Sequence, residues 1–119
     1  MDTPETIAAV STSAGVSARA VIRLSGPEAL NAVARRFRPA DPNVPWTRTF
    51  RATRGTLAPG SEGGLEAPCT VYVMRAPRSY TREDVFEIHV AGSAPLLDII
   101  LDDLTSDGTV RPARAGEFT

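Results

Sequence analysis

The sequence contains no lysine, and it has one cysteine and one histidine among its 119 residues. Its 13 basic residues are therefore all arginines. Without lysine the chain cannot form a Schiff base, and it cannot build the phosphate-binding loop whose lysine contacts nucleotide phosphates. One His and one Cys are too few for a zinc site built from those residues within one chain. These absences argue against a nucleotide hydrolase of the common kind.

The length and composition are those of one globular domain, residues 1–119, with a single core. The net charge of −1 provides no overall field that would attract nucleic acid or an anionic membrane. Cys69 has no second cysteine with which to form an internal disulfide. There is no signal-peptide pattern, and no apolar run is long enough to cross a bilayer. We therefore expect a cytoplasmic protein without a membrane partner.

Hydrophobic periodicity predicts an α+β fold. Alternating or apolar runs predict strands at 6–12, 18–26, 49–57, 69–75, 84–90 and 109–113, and helical spacing predicts helices within 25–37 and 92–108. The proline-rich stretch 38–46 is expected to be irregular, and Ser25 or Gly26 is expected to cap the first helix. This order predicts a mixed sheet with two helices on one face, which leaves the other face free.

The strand at 84–90 carries a glutamate at its centre. Because strand side chains alternate sides, Phe86, Ile88 and Val90 share an apolar face, and Glu87 lies on the opposite one. Arg23 is predicted to point to the same free side from its own strand. From the residues alone, this carboxylate is either solvated, paired with a cation, or placed for a ligand that offers hydrogen-bond donors.

Four segments occur in the order found in one known family. They are "TIAAVST", "VIRLSGPEAL", "APRSYTREDVFEIH" and "RAGEFT". In these segments the chain resembles the N-terminal domain of the MnmE/TrmE family of tRNA modification GTPases. The resemblance implies a homodimerising domain similar to the folate-binding domain of aminomethyltransferases. It also implies a non-catalytic part of a larger enzyme, which modifies the wobble uridine of tRNA with an MnmG-like flavoprotein partner. No GTPase activity is expected from this chain.

The resemblance also implies a cofactor and two residues that bind it. The family's folate-binding arginine falls on Arg23 in "IRLSG", and its folate-binding glutamate falls on Glu87 in "EDVFEIH". A pterin ring presents an amino group and a ring N–H side by side, and a carboxylate can accept both. The implied cofactor is a tetrahydrofolate derivative, either 5-formyl- or 5,10-methylene-tetrahydrofolate. Arg23 would bind a carbonyl or carboxylate of the folate, or orient Glu87.

Two other functions remain open at this point. The family's glycine-rich turns are altered here to "SAGVSA" and "AGSAP", as expected for a structural homodimerisation module that has lost folate binding. Segment 35–54 contains six arginines and one acid, interleaved with Phe37, Trp46 and Phe50. That pattern also fits an RNA-binding module, in which arginines contact phosphates and aromatic rings stack on bases.

Overall fold

The computed structural model describes residues 5–12, 19–48, 51–58, 66–75, 84–91 and 94–114. These residues form seven strands and two helices. In chain order they are β1 (Thr6–Thr12), β2 (Arg19–Ser25), α1 (Ala29–Ala34), β3 (Phe37–Pro39), β4 (Arg51–Leu57), β5 (Ala67–Met74), β6 (Val85–Ala91), α2 (Ala94–Thr105) and β7 (Val110–Pro112). In this part of the chain, no helix is long and apolar enough to cross a membrane.

The described strands form a single sheet in the order β3-β4-β5-β6-β2-β1-β7. Neighbouring strands are antiparallel, except that β7 runs parallel to β1 at one edge. The predicted mixed sheet is therefore confirmed. The pairing of β2 with β6 at the centre is the contact that matters for the site, because each predicted site residue lies on one of these strands.

Both helices contribute to one hydrophobic core on the same side of the sheet. Ile22 of β2 and Ile88 of β6 are fully buried in this core. Val33 of α1 and Ile100 of α2 belong to the same buried cluster. The prediction of an α+β fold with two helices on one face is thus confirmed. The similarity to aminomethyltransferases stays a prediction.

The first helix is shorter than predicted, and the prediction that 38–46 is irregular throughout is wrong at its start. The helix ends at Ala34, and Phe37 opens strand β3, where it lies opposite Leu57 of β4. Burial against Leu57 and an edge-on contact with Trp46, 5.1 Å between ring centroids, give Phe37 its apolar surroundings. Gly55 of β4 faces Pro39, and a Cβ on Gly55 would come within 2.2 Å of the Arg38 carbonyl oxygen, so the pairing of β3 with β4 requires glycine there.

The predicted cap of the first helix is also wrong. Glu28 occupies the N-cap position, and its side chain makes no capping hydrogen bond. The Glu28 backbone N–H instead donates to the Thr6 hydroxyl oxygen at 2.8 Å. Gly26, with a φ of 134°, allows this approach, because a Cβ there would lie 2.6 Å from the Thr6 Cα atom. The first strand therefore helps to hold the helix start, together with the Ala29 N–H, which donates to the Gly26 carbonyl oxygen at 3.2 Å.

Arg36, which follows α1 in the chain, stabilises the acidic C-terminal end of α2. Carboxylates near a helix C-terminus are disfavoured by the helix dipole. The Arg36 side chain, 9% exposed, donates from Nε to the Asp103 carboxylate at 2.5 Å and from Nη2 to the Asp103 backbone oxygen at 2.9 Å. Its Nη1 donates to the Ala32 carbonyl oxygen at 2.7 Å. This one guanidinium connects the ends of the two helices.

Candidate functional site

Strand register brings the two predicted site residues together. Arg23 of β2 lies directly opposite Glu87 of β6, and both side chains lie on the side of the sheet away from the helices. Nε and Nη2 of Arg23 lie 2.7 Å and 2.6 Å from Oε2 of Glu87. Of the three possibilities for this carboxylate, the structure contains the ion pair.

Two further side chains complete this group, which we call the Glu87 cluster: Arg23, Glu87, His89 and Tyr72. His89 Nε2 lies 3.1 Å from Glu87 Oε1, so each carboxylate oxygen has a partner. Tyr72 of β5 lies opposite Glu87, and the centroids of the Tyr72 and His89 rings are 4.5 Å apart. The cluster therefore spans the three central strands β5, β6 and β2.

The surroundings of Glu87 keep its carboxylate ionised near neutral pH. Only 16% of its side chain is exposed, whereas 37% of the Arg23 side chain is exposed. Burial alone raises the pKa of Glu87, but hydrogen bonds from His89 and Arg23 and the charges of both outweigh it, so the pKa lies below its usual value. The group is thus an ionised hydrogen-bond acceptor that is already engaged by its neighbours.

A ligand with two parallel hydrogen-bond donors could bind Glu87 only after the ion pair between Arg23 and Glu87 opened. A carboxylate oxygen has two lone pairs, and Arg23 already uses both of those on Oε2. His89 uses one on Oε1, which leaves one acceptor position on that oxygen. Two parallel donors could engage both oxygens only if the Arg23 guanidinium, 37% exposed in this structure, turned away from Glu87. The same rotation would offer Arg23 as a donor to the ligand.

An open cleft of about 690 Å³ adjoins the cluster on the same side of the sheet. His89 and Tyr72 belong to both the cleft and the cluster, whereas Arg23 and Glu87 do not line the cleft. Its lining also includes Thr70, Arg54 and Arg19, and among the described residues it contains no carboxylate. The cleft thus extends from the cluster toward a basic part of the sheet.

Residues 6–119 match the family described as GTP-binding protein TrmE N-terminus. The chain belongs to this family. Proteins named tRNA modification GTPase MnmE are similar to it: one from Bacillus velezensis is 36% identical over 116 residues, 97% of this chain and 25% of the relative. One from Listeria welshimeri is 40% identical over 97% of this chain and 24% of its own length. One from Thermus thermophilus is 37% identical over 100% of this chain and 27% of its own length. The chain spans about a quarter of the length of these relatives.

The TrmE-type domain uses several residues of the arginine-rich segment inside the fold. Arg36 and Phe37 are buried, and Trp46 packs edge-on against Phe37 and Phe86. Phe50 lies outside the described residues. Phe37 is therefore not available for stacking on RNA bases, whereas Trp46 is only partly buried, and the RNA-binding module stays a prediction.

The outer side of the sheet is free only in part. Val85 is 0% exposed although it shares the side of Glu87, and the facing Ser25 is also buried. The prediction of a wholly free face is therefore wrong at this end of β6. The altered turns at 13–18 and 92–93 lie outside the described residues.

Sequence reasoning missed Tyr72 and Arg54 as parts of this region. Alternation in "CTVYVMR" places Tyr72 opposite to the core side, but it does not reveal that Glu87 is the facing residue. For Arg54 the sequence indicated only that it is one of the arginines of segment 35–54. The missing information was the register of β4, β5 and β6, which tertiary packing sets.

Proposed function

We propose that this domain binds a tetrahydrofolate derivative, 5-formyl- or 5,10-methylene-tetrahydrofolate, and joins two copies of the chain in a tRNA modification GTPase. The observation that carries the proposal is the facing pair of Arg23 and Glu87, beside a cleft, in a member of the TrmE N-terminal family. The curated relatives are named tRNA modification GTPases, which supports a role in tRNA modification. The wobble uridine as the modified nucleotide is part of our proposal and comes from the family resemblance.

Three residues of the cluster have distinct roles in this proposal. Glu87 accepts hydrogen bonds from the amino group and ring N–H of the pterin. Arg23 releases Glu87 and donates to a carbonyl or carboxylate of the folate. His89 holds Oε1 of Glu87 and so orients the carboxylate. The domain itself performs no chemistry; it holds the one-carbon donor for the active site of the full enzyme, which works with an MnmG-like flavoprotein and tRNA in the cytoplasm.

Calorimetric titration with 5-formyltetrahydrofolate tests the binding half of the proposal. We expect Glu87→Gln to weaken binding by about tenfold or more, because the amide places a donor against a ligand donor in a partly buried site. Glu66→Gln is the matched control, since the Glu66 carboxylate is exposed and its distance to Arg38 is 3.8 Å. Equal affinities for the wild type and Glu87→Gln, or no heat at millimolar ligand, would contradict the proposal.

Light scattering on the purified chain tests the dimerisation half. At micromolar protein we expect a particle with twice the mass of one chain, which is 12.7 kDa. A dimer that takes up no folate identifies the domain as the structural homodimerisation module. A monomer that binds folate removes the dimerisation half alone.

A further inference from the structure

The cleft beside the Glu87 cluster has the charge and the position to bind an acidic group. Two arginines, Arg54 and Arg19, line it at opposite sides, with Thr70 between them. No carboxylate belongs to its described lining. Arg54 is exposed, and in the described part of the chain no acidic side chain pairs with it. An anion entering the cleft would therefore meet an available guanidinium and would not be repelled by an acid.

Strand register connects this arginine to the cluster by a continuous row of side chains. Arg54 of β4 faces Thr70 of β5, and Thr70 faces His89 of β6. The backbones of Arg54 and His89 are thus separated by two strand spacings, about 10 Å. Glu87 lies two positions from His89 on β6, so a ligand held at Glu87 and extended across β5 would reach Arg54.

From this arrangement we propose that the cleft is the subsite for the acidic tail of the folate, and that Arg54 selects folates that carry a chain of several glutamates. The inference rests on the proposed function, because it takes the pterin to be held by Glu87. The exposed Tyr72 ring lies between the two ends and offers a flat surface to the aromatic ring that joins the pterin to the tail. Each added glutamate brings one more carboxylate, and a guanidinium binds a carboxylate through two parallel hydrogen bonds.

The test compares 5-formyltetrahydrofolate carrying one glutamate with the same compound carrying three. For the wild type we expect the triglutamate to bind about tenfold more tightly, as for a charge-assisted hydrogen bond. This preference should shrink when salt is raised to about 0.5 M, because the cleft is open to solvent. In Arg54→Gln the two compounds should bind with affinities within about twofold of each other, because the guanidinium proposed to bind the carboxylates of the tail is gone.

Two further variants keep the result interpretable. Arg48→Gln removes an exposed arginine of the same segment outside the cleft and should keep the full preference. Arg54→Lys restores the charge and should recover most of it, which separates loss of charge from loss of fold.

The outcomes that overturn this inference differ from those that overturn the proposed function. Equal binding of both compounds by the wild type, or an unchanged preference in Arg54→Gln, removes the tail subsite while folate binding stands. Failure of both compounds to bind removes both proposals together. If Arg54→Gln instead weakens binding of a tRNA fragment and leaves the tail preference intact, the cleft is a phosphate-binding surface and the inference is wrong.

Discussion

Replacing Arg36 by alanine should destabilise the domain far more than replacing its neighbour Arg35. Arg36 makes three hydrogen bonds, two to Asp103 and one to the Ala32 carbonyl, from a side chain that is 9% exposed. Removal of one member of a buried ion pair typically costs about 3–5 kcal/mol. Because the Asp103 carboxylate is 13% exposed and can be partly hydrated, we expect about 3 kcal/mol. That is a large part of the stability of about 6–15 kcal/mol expected for a domain of this size.

Urea unfolding followed by Trp46 fluorescence and far-ultraviolet circular dichroism measures this effect. With a slope of about 2 kcal/mol per molar urea, the midpoint of Arg36→Ala should fall by about 1.5 M. Arg35→Ala is the control, because Arg35 pairs with Asp107 at 3.2 Å but is 61% exposed. An exposed pair of this kind contributes less than about 1 kcal/mol. If both variants lose the same stability, the guanidinium does not stabilise the contact between the helices.

Three further predictions concern buried or paired groups. Because the pKa of Glu87 is lower in the folded protein than its usual value of 4.5, its ion pair stabilises the fold above that pH and ceases to do so as pH falls through the folded value. The difference in unfolding free energy between wild type and Glu87→Gln should therefore shrink in acid titrations as the pH falls below 4.5, and it should vanish once the pH is below the lowered pKa of Glu87. Burial raises the pKa of the Cys69 thiol to about 11, so mass spectrometry should detect slow alkylation by iodoacetamide at pH 8 in the native protein and fast alkylation in urea. The buried Thr53 hydroxyl has no hydrogen-bond partner in the described structure, so Thr53→Val should raise the unfolding free energy by about 1 kcal/mol in urea titrations, whereas the less buried Thr56→Val should change it little.

Alternation alone predicts which side of the sheet each site residue occupies, but not which residues meet. Arg23 and Glu87 lie on the side opposite to Ile22 and Ile88, as the period of two requires. Their pairing depends on the register of β2 against β6, and a shift of one residue would separate them. Alternation does place His89 beside Glu87, two positions along the same strand, but it does not show that the imidazole contacts the carboxylate.

The failures at the first helix have the same origin. Phe37 continues a helical spacing, yet its burial against Leu57 and Trp46 makes the strand conformation the more stable one. The N-cap of that helix is Glu28, and its backbone N–H donates to Thr6, which lies 22 positions earlier in the chain. Local propensity cannot anticipate a partner supplied by a distant strand.

Arg23 competes with a bound ligand for the Glu87 carboxylate, because the two side chains already form a salt bridge. The proposed folate needs both carboxylate oxygens, so it would bind Glu87 only in the conformers whose guanidinium has rotated away. Its apparent dissociation constant is therefore its intrinsic one divided by the population of those conformers, so a population of about 10% weakens apparent affinity tenfold. Replacing Arg23 by a shorter residue would remove a donor to the ligand, which lowers affinity, and would also remove the group that occupies Glu87, which raises affinity. The measured change in affinity would be the sum of these two opposing effects.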